Sequence, residues 1–139
     1  MPSDSPPPRY PTAAAIASLA ARFELPVSGD MQDWEYKVAD AGRIDEFFDA
    51  YLAEPLTADE RFVLMEIVIQ SCEDHPVPLD SQPRWAEVVQ GLRDNVALHA
   101  STITYWSCVE DPLQPPENLW RVSPAMREII ADLPGEFLG

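Results

Sequence analysis

Residues 57–72 read TADERFVLMEIVIQSC, and this stretch decides the fold. Thr57 followed three residues later by Glu60 has the form of a capping box. The hydroxyl of the first takes up an orphan backbone N–H, and the carboxylate of the fourth reaches back to the N–H of the first. Beyond it Phe62, Val63, Leu64, Met65, Ile67, Val68 and Ile69 leave almost no polar side. A helix that is apolar all round belongs at the centre of a fold, covered by other elements. Glu66 interrupts the apolar run, and a carboxylate there must find a partner, reach the water edge or take up a proton. An arginine from a neighbouring helix is the expected partner.

The neighbours on either side also read as helices. Upstream, residues 12–25, TAAAIASLAARFEL, combine strong helix formers with Ile16, Leu19, Ala20 and Phe23 on one face; Thr12 can cap the start and Pro26 ends it. Residues 28–40, SGDMQDWEYKVAD, fit both a short strand, through alternating Trp34, Tyr36 and Val38, and a helical face of Met31, Trp34 and Val38; the short helix is preferred. Asp40 is a good N-cap for an amphipathic helix with Ile44, Phe47, Phe48, Tyr51 and Leu52 on its apolar stripe, broken at Pro55.

Downstream, Trp85, Val88, Val89 and Leu92 restore a helical stripe after a proline-interrupted loop. Asn95 marks a break, and residues 96–108, VALHASTITYWSC, suit a buried helix better than a strand by their length and their Val96, Ala100, Ile103 spacing. An extended LWRV at 119–122 leads to a short helix after Ser123, with Pro124 at its first position. The prediction is an all-α fold, a single-domain helical bundle or short αα-superhelix of about five to seven helices spanning 12–139. Residues 1–11, with five prolines, form a tail outside it.

With 139 residues and 46% hydrophobic side chains the chain can bury a core without metal or disulfides. Cys72 and Cys108 each sit in an apolar segment and read as small buried hydrophobes. No basic start precedes an apolar core, and no run reaches the roughly 18 apolar residues of a membrane helix, which predicts a soluble, cytoplasmic protein. The 24 carboxylates against 9 basic side chains give a net charge of −15, which disfavours direct contact with nucleic acid or an anionic membrane.

Chemistry has little support. The two histidines have no cysteine or second histidine at metal-ligand spacing, so neither metal nor cofactor is expected. His75 follows a predicted helix end and two carboxylates, which suits an imidazolium in a structural role. His99 lies near Ser101 and Thr102, but no nucleophile elbow or glycine-rich turn accompanies them. The five glycines form no phosphate-cradling pattern. An enzyme using Glu66 or His99 is therefore the most remote of the functions considered.

Carboxylates concentrate between residues 30 and 60, where ten acids face only Lys37 and Arg43, a net −8. On the helix after Asp40 the apolar stripe pushes Asp45, Glu46 and Asp49 onto the solvent face, with Asp33 and Glu35 as neighbours. Asp45 and Asp49 are a like-charged i, i+4 pair, costing the helix roughly 0.2–0.5 kcal/mol. A cluster with no internal partner is expected to receive a basic protein surface, the alternative being a solvated face that serves solubility alone. The aromatic residues Trp34, Tyr36 and Trp120 are the alternative interface.

The succession DWEYKVADAGRIDEFFDAY, LTADERFVLMEIVIQS, WAEVVQGLRDNVALHASTITYW and LWRVSPAMREII resembles small acidic bacterial proteins encoded beside polymorphic toxins and taken to be immunity proteins. The resemblance covers residues 30–131 and carries over no individual functional residue. It implies a protein that neutralises a cognate toxin domain by direct contact, with no chemistry of its own; a basic nuclease groove would be the electrostatic counterpart. The competing expectation is a DNA mimic or acidic regulator that occludes a nucleic-acid-binding protein.

Overall fold

The computed structural model describes residues 11–27, 34–107 and 120–132, and among them the fold is all-α, with seven α-helices and no strand. The proline-rich start, Asp33 and Cys108 lie outside the described residues. The chain divides into two compact units, one of residues 10–88 and one that takes up the chain from Val89.

In the unit of residues 10–88, α4 (Ala58–Asp74) is the helix on which the others pack: α1 (Ala13–Phe23), the one-turn α2 (Trp34–Lys37) and α3 (Ile44–Ala53) all contact it. Every residue from Phe62 to Ile69 is buried. Both halves of the expected capping box form, with Glu60 N–H donating to Thr57 Oγ1 at 3.1 Å and Thr57 N–H to Glu60 Oε1 at 2.8 Å. The other carboxylate oxygen of Glu60 accepts from the Ser18 hydroxyl of α1, so one side chain caps α4 and ties α1 to it. At the far end the Gln82 amide donates to Cys72 O, a carbonyl of the last turn, at 3.0 Å and to Val77 O in the loop beyond at 2.9 Å. Cys72 is buried on α4.

Glu66 is buried and accepts a hydrogen bond from the Tyr36 hydroxyl of α2 at 3.1 Å. Ser71, also buried, donates to Ile67 O and accepts the Asp40 N–H, which anchors the entry to α3. That entry is a 3₁₀ turn over Ala41–Arg43, and Asp40 caps it through the Gly42 N–H at 2.8 Å. Helix α1 ends before Pro26, because Glu24 takes the left-handed conformation (φ 55°) and its N–H returns to Ala20 O.

Leu52 departs from its expected place in the core and is 54% exposed. Ile44, Phe47, Phe48 and Tyr51 hold the buried stripe. At 100° per residue, Leu52 lies about 80° round the helix from Ile44, on the far side from Phe47, and the chain leaves the helix one residue later.

Helix α5 (Trp85–Asp94) carries the chain from the first unit into the second; Val88 and Leu92 are fully buried and Val89 is half-buried. In the second unit α6 (Val96–Ser107) is a helix, as preferred over a strand, and packs against α7 (Ser123–Ala131). Residues 120–122 are a turn rather than the expected extended segment: Ser123 N–H donates to Trp120 O at 3.0 Å, and the Ser123 hydroxyl donates to Trp106 O at 2.6 Å. Arg127 meets the end of α6 through Ser107 O at 2.7 Å. His99 is fully buried on α6, as are Met126 and Ile129 on α7.

Two measurements check this arrangement. Phe48 is fully enclosed, so Phe48→Ala should lose about 3–5 kcal/mol in a denaturant titration; a loss under about 1 kcal/mol would place Phe48 at the surface. The Ser18 hydroxyl, followed by the Thr57 N–H, holds the Glu60 carboxyl below its ordinary pKa. A depressed folded value stabilises the protein above the unfolded pKa of about 4.3, and that contribution is lost as the pH falls through the folded value. The stability advantage of the parent over Glu60→Gln should therefore be full near pH 7 and shrink below about pH 4. An advantage constant from pH 7 to pH 3 would contradict it.

Candidate functional site

The candidate site is the solvent face of α3 and the arginines that border it. Three guanidiniums sit over the three aromatic side chains of α3: Arg43 over Phe47 (5.1 Å to the ring centroid), Arg84 over Phe48 (5.0 Å) and Arg61 over Tyr51 (5.2 Å). Each reaches that position from a different place in the chain. Arg43 ends the 3₁₀ turn and also donates to Phe23 O at 2.9 Å, at the end of α1. Arg61, in the first turn of α4, donates to Tyr51 O and Glu54 O, carbonyls at the end of α3. Arg84 directly precedes α5.

Arg84 is the centre of the arrangement. One terminal nitrogen donates to Asp45 at 3.0 Å and to Asp49 at 2.9 Å, and its Nε donates to Glu87 at 3.0 Å. Its side chain is only 19% exposed, whereas those of Asp45, Asp49 and Glu87 are 78%, 68% and 55% exposed. The cation is recessed against Phe48 and the carboxylates stand outward. Burial opposes the charged guanidinium, but the hydrogen bonds to Asp49 and Asp45 outweigh it and hold the Arg84 pKa above the ordinary arginine value.

Beside this group, Arg43 makes a two-nitrogen contact with Glu46 at 2.6 and 2.8 Å. The hydrogen bond to Glu46 raises the Arg43 pKa against its partial desolvation, and the same bond holds the Glu46 carboxyl below its ordinary value. Asp45, Glu46, Asp49 and Glu87 against Arg43 and Arg84 leave a net −2 on a surface whose outermost charges are negative.

The structure thus brings Asp45, Glu46 and Asp49 together as expected, but corrects the premise that they have no internal partner. The like-charged pair Asp45 and Asp49 is bridged by Arg84, which removes the repulsion expected along α3. Glu35 is corrected too: it is buried on α2 and lines no exposed surface. A one-turn helix gives a hydrophobic stripe no length in which to declare its inner face, so burial of Glu35 beside Trp34 has no sequence signal. The residues that sequence reasoning missed are Arg84 and Glu87. The i, i+3 spacing of Arg84 with Glu87, and of Arg43 with Glu46, was the available signal.

Of the alternative aromatic interface, Trp34 is buried and donates its indole N–H to Pro26 O at 2.7 Å; Tyr36 is half-buried on Glu66. Trp120 is exposed and stacks on Tyr105, with centroids 5.2 Å apart. His75 caps the end of α4, and its Nδ1 accepts the Val77 N–H at 3.0 Å. Among the described residues no group of three or more His, Cys, Asp or Glu side chains is placed to hold a metal ion, and no helix is long and apolar enough to cross a membrane.

No protein-family model, no curated protein and no solved structure matches this chain.

The Arg84 arrangement predicts a measurable coupling. Arg84→Met should cost about 1–2 kcal/mol, combining a cation–π contact with partly exposed ion pairs. In a double-mutant cycle with Asp49→Asn, the coupling should be about 0.5–1 kcal/mol in 0.05 M salt and fall in 1 M salt. Strict additivity at low salt would show that Arg84 does not hold Asp49.

Proposed function

We propose that the protein is an acidic binding protein that neutralises a cognate toxin domain by occupying its basic surface, with no chemistry of its own. The observation that carries the reading is the placement of charge around α3. Asp45, Asp49 and Glu87 stand outward over the recessed Arg84, so an approaching surface meets carboxylates first. The ion pairs also restrict those carboxylates before contact, which lowers the side-chain entropy lost on docking. Outward negative charge on a fixed frame speeds encounter with a cation-rich partner and rejects acidic ones. That the partner is a toxin domain, and the protein a bacterial immunity protein, rests on the resemblance of residues 30–131 and on this electrostatic match.

The test is isolation of the partner from source-cell lysate, its identification, and measurement of association with the purified pair. The partner should be basic, and its on-rate should fall steeply as salt rises from about 0.01 M to 0.15 M, where the Debye length shortens from about 30 to 8 Å. The variant Asp45→Asn/Glu46→Gln/Asp49→Asn should bind at least tenfold more weakly and lose protection against a toxic partner. Because Arg84 and Arg43 lose hydrogen-bonded anions in that variant, its fold is checked first by circular dichroism. An acidic or neutral partner, or equal binding by the variant, would overturn the reading.

A further inference from the structure

Beside the outward carboxylates lies a cleft of about 380 Å³, bordered by the turn that leads into α3 and by the loop between α4 and α5. Its volume falls within the range of about 300–1,000 Å³ that accepts small ligands or a single large side chain. Ala41, Ile44, Val77 and Pro83 give it apolar walls, and Asp45 and Arg84 stand in its lining on the side of the acidic surface. Such a combination suits a side chain with an aliphatic stem and a charged head. The sign of that head follows from the local charge. In the lining Asp45 and Arg84 balance, but Arg84 is already engaged by Asp45, Asp49 and Glu87, a group of net −2 beside the cleft, so a cation is favoured there over an anion.

A second observation points to a hydrogen-bond donor. Gln82 also lines the cleft and is 92% buried, being 8% exposed. Its amide nitrogen is committed to Cys72 O and Val77 O, which fixes the orientation of the amide, and its Oε1 is buried with no hydrogen-bond partner. A buried acceptor left unsatisfied is uncommon and is relieved by any N–H donor brought to it. Asp45 and Gln82 are both acceptors in the lining, and a planar guanidinium has N–H groups for both once a small shift of the loop opens the enclosed Gln82 Oε1 to the cleft.

We propose that this cleft is the socket for an arginine side chain of the partner protein. The inference rests on the acidic-surface reading and sharpens it: the carboxylates of α3 attract the basic partner, and one arginine docks in the cleft with its stem against Ile44, Val77 and Pro83. The ¹⁵N-labelled full chain is titrated with capped arginine (N-acetylargininamide), with capped citrulline, its neutral counterpart, as control. Capped arginine should give saturable shifts at Gly42, Val77, Ser81 and the Gln82 side-chain amide, and capped citrulline none. Asp45→Asn, and independently Ser81→Trp, which places bulk at the cleft, should each weaken binding at least fivefold; the same spectra report whether each variant is folded. Shifts confined to the outward face of α3, or binding unchanged by Ser81→Trp, would overturn the socket while leaving the acidic-surface reading intact. No saturable shift at any position would also overturn the socket, and the salt dependence of partner association then decides the broader reading separately.

Discussion

A helix with no polar side has to be covered, and within residues 10–88 this requirement governs the rest. Phe62 to Ile69 of α4 are buried without exception, and each large apolar side chain so enclosed contributes roughly 1.5–3 kcal/mol. Polar side chains satisfy backbone groups at the ends of this helix and around it: Thr57 and Glu60 at the start, Gln82 at the end, Ser71 at the approach of the α3 turn. The same side chains join elements. Glu60 holds Ser18 of α1, and Gln82 holds the loop that delivers Arg84. Covering α4 is therefore also what brings Arg84 within reach of α3.

On α3 the apolar and charged faces are joined by arginines. A guanidinium is flat and weakly hydrated enough to lie on an aromatic ring while its edge meets carboxylates, which lysine does poorly. Arg43 and Arg84 do this on Phe47 and Phe48, while Arg61 lies over Tyr51 and donates to the backbone carbonyls of Tyr51 and Glu54. The result differs from a simple acidic helix face. The carboxylates are held in position, their mutual repulsion is cancelled, and the residual charge that a partner meets is still negative.

The fold was largely legible, because its signals are local or periodic. The Thr57–Glu60 box, the Thr12 cap, the stripe of α1 and the buried apolar run of α4 on either side of Glu66 all appear in the structure as read. What failed was short or tertiary. Glu35 and the turn at 120–122 lie in segments too brief for a period, and Leu52 sits at the edge of a stripe at the end of its helix. At the site, Asp45, Glu46 and Asp49 followed from the stripe of α3 by exclusion. Their bridge to Arg84 spans 39 and 35 residues of chain, and no local rule relates side chains so far apart. Charge counting therefore found the acidic surface but overstated its free charge.

The claim at the centre is that the α3 carboxylates are held by a recessed, immobile cation, and the motion of the Arg84 guanidinium tests it most directly. ¹⁵N relaxation of the Arg84 Nε–H group reports its order parameter on the picosecond to nanosecond scale. A guanidinium stacked on Phe48 and bonded to three carboxylates should approach the value of about 0.85 typical of rigid backbone. A value below about 0.6 would mean that Arg84 moves as a solvated side chain does, and that Asp45 and Asp49 are not held in place.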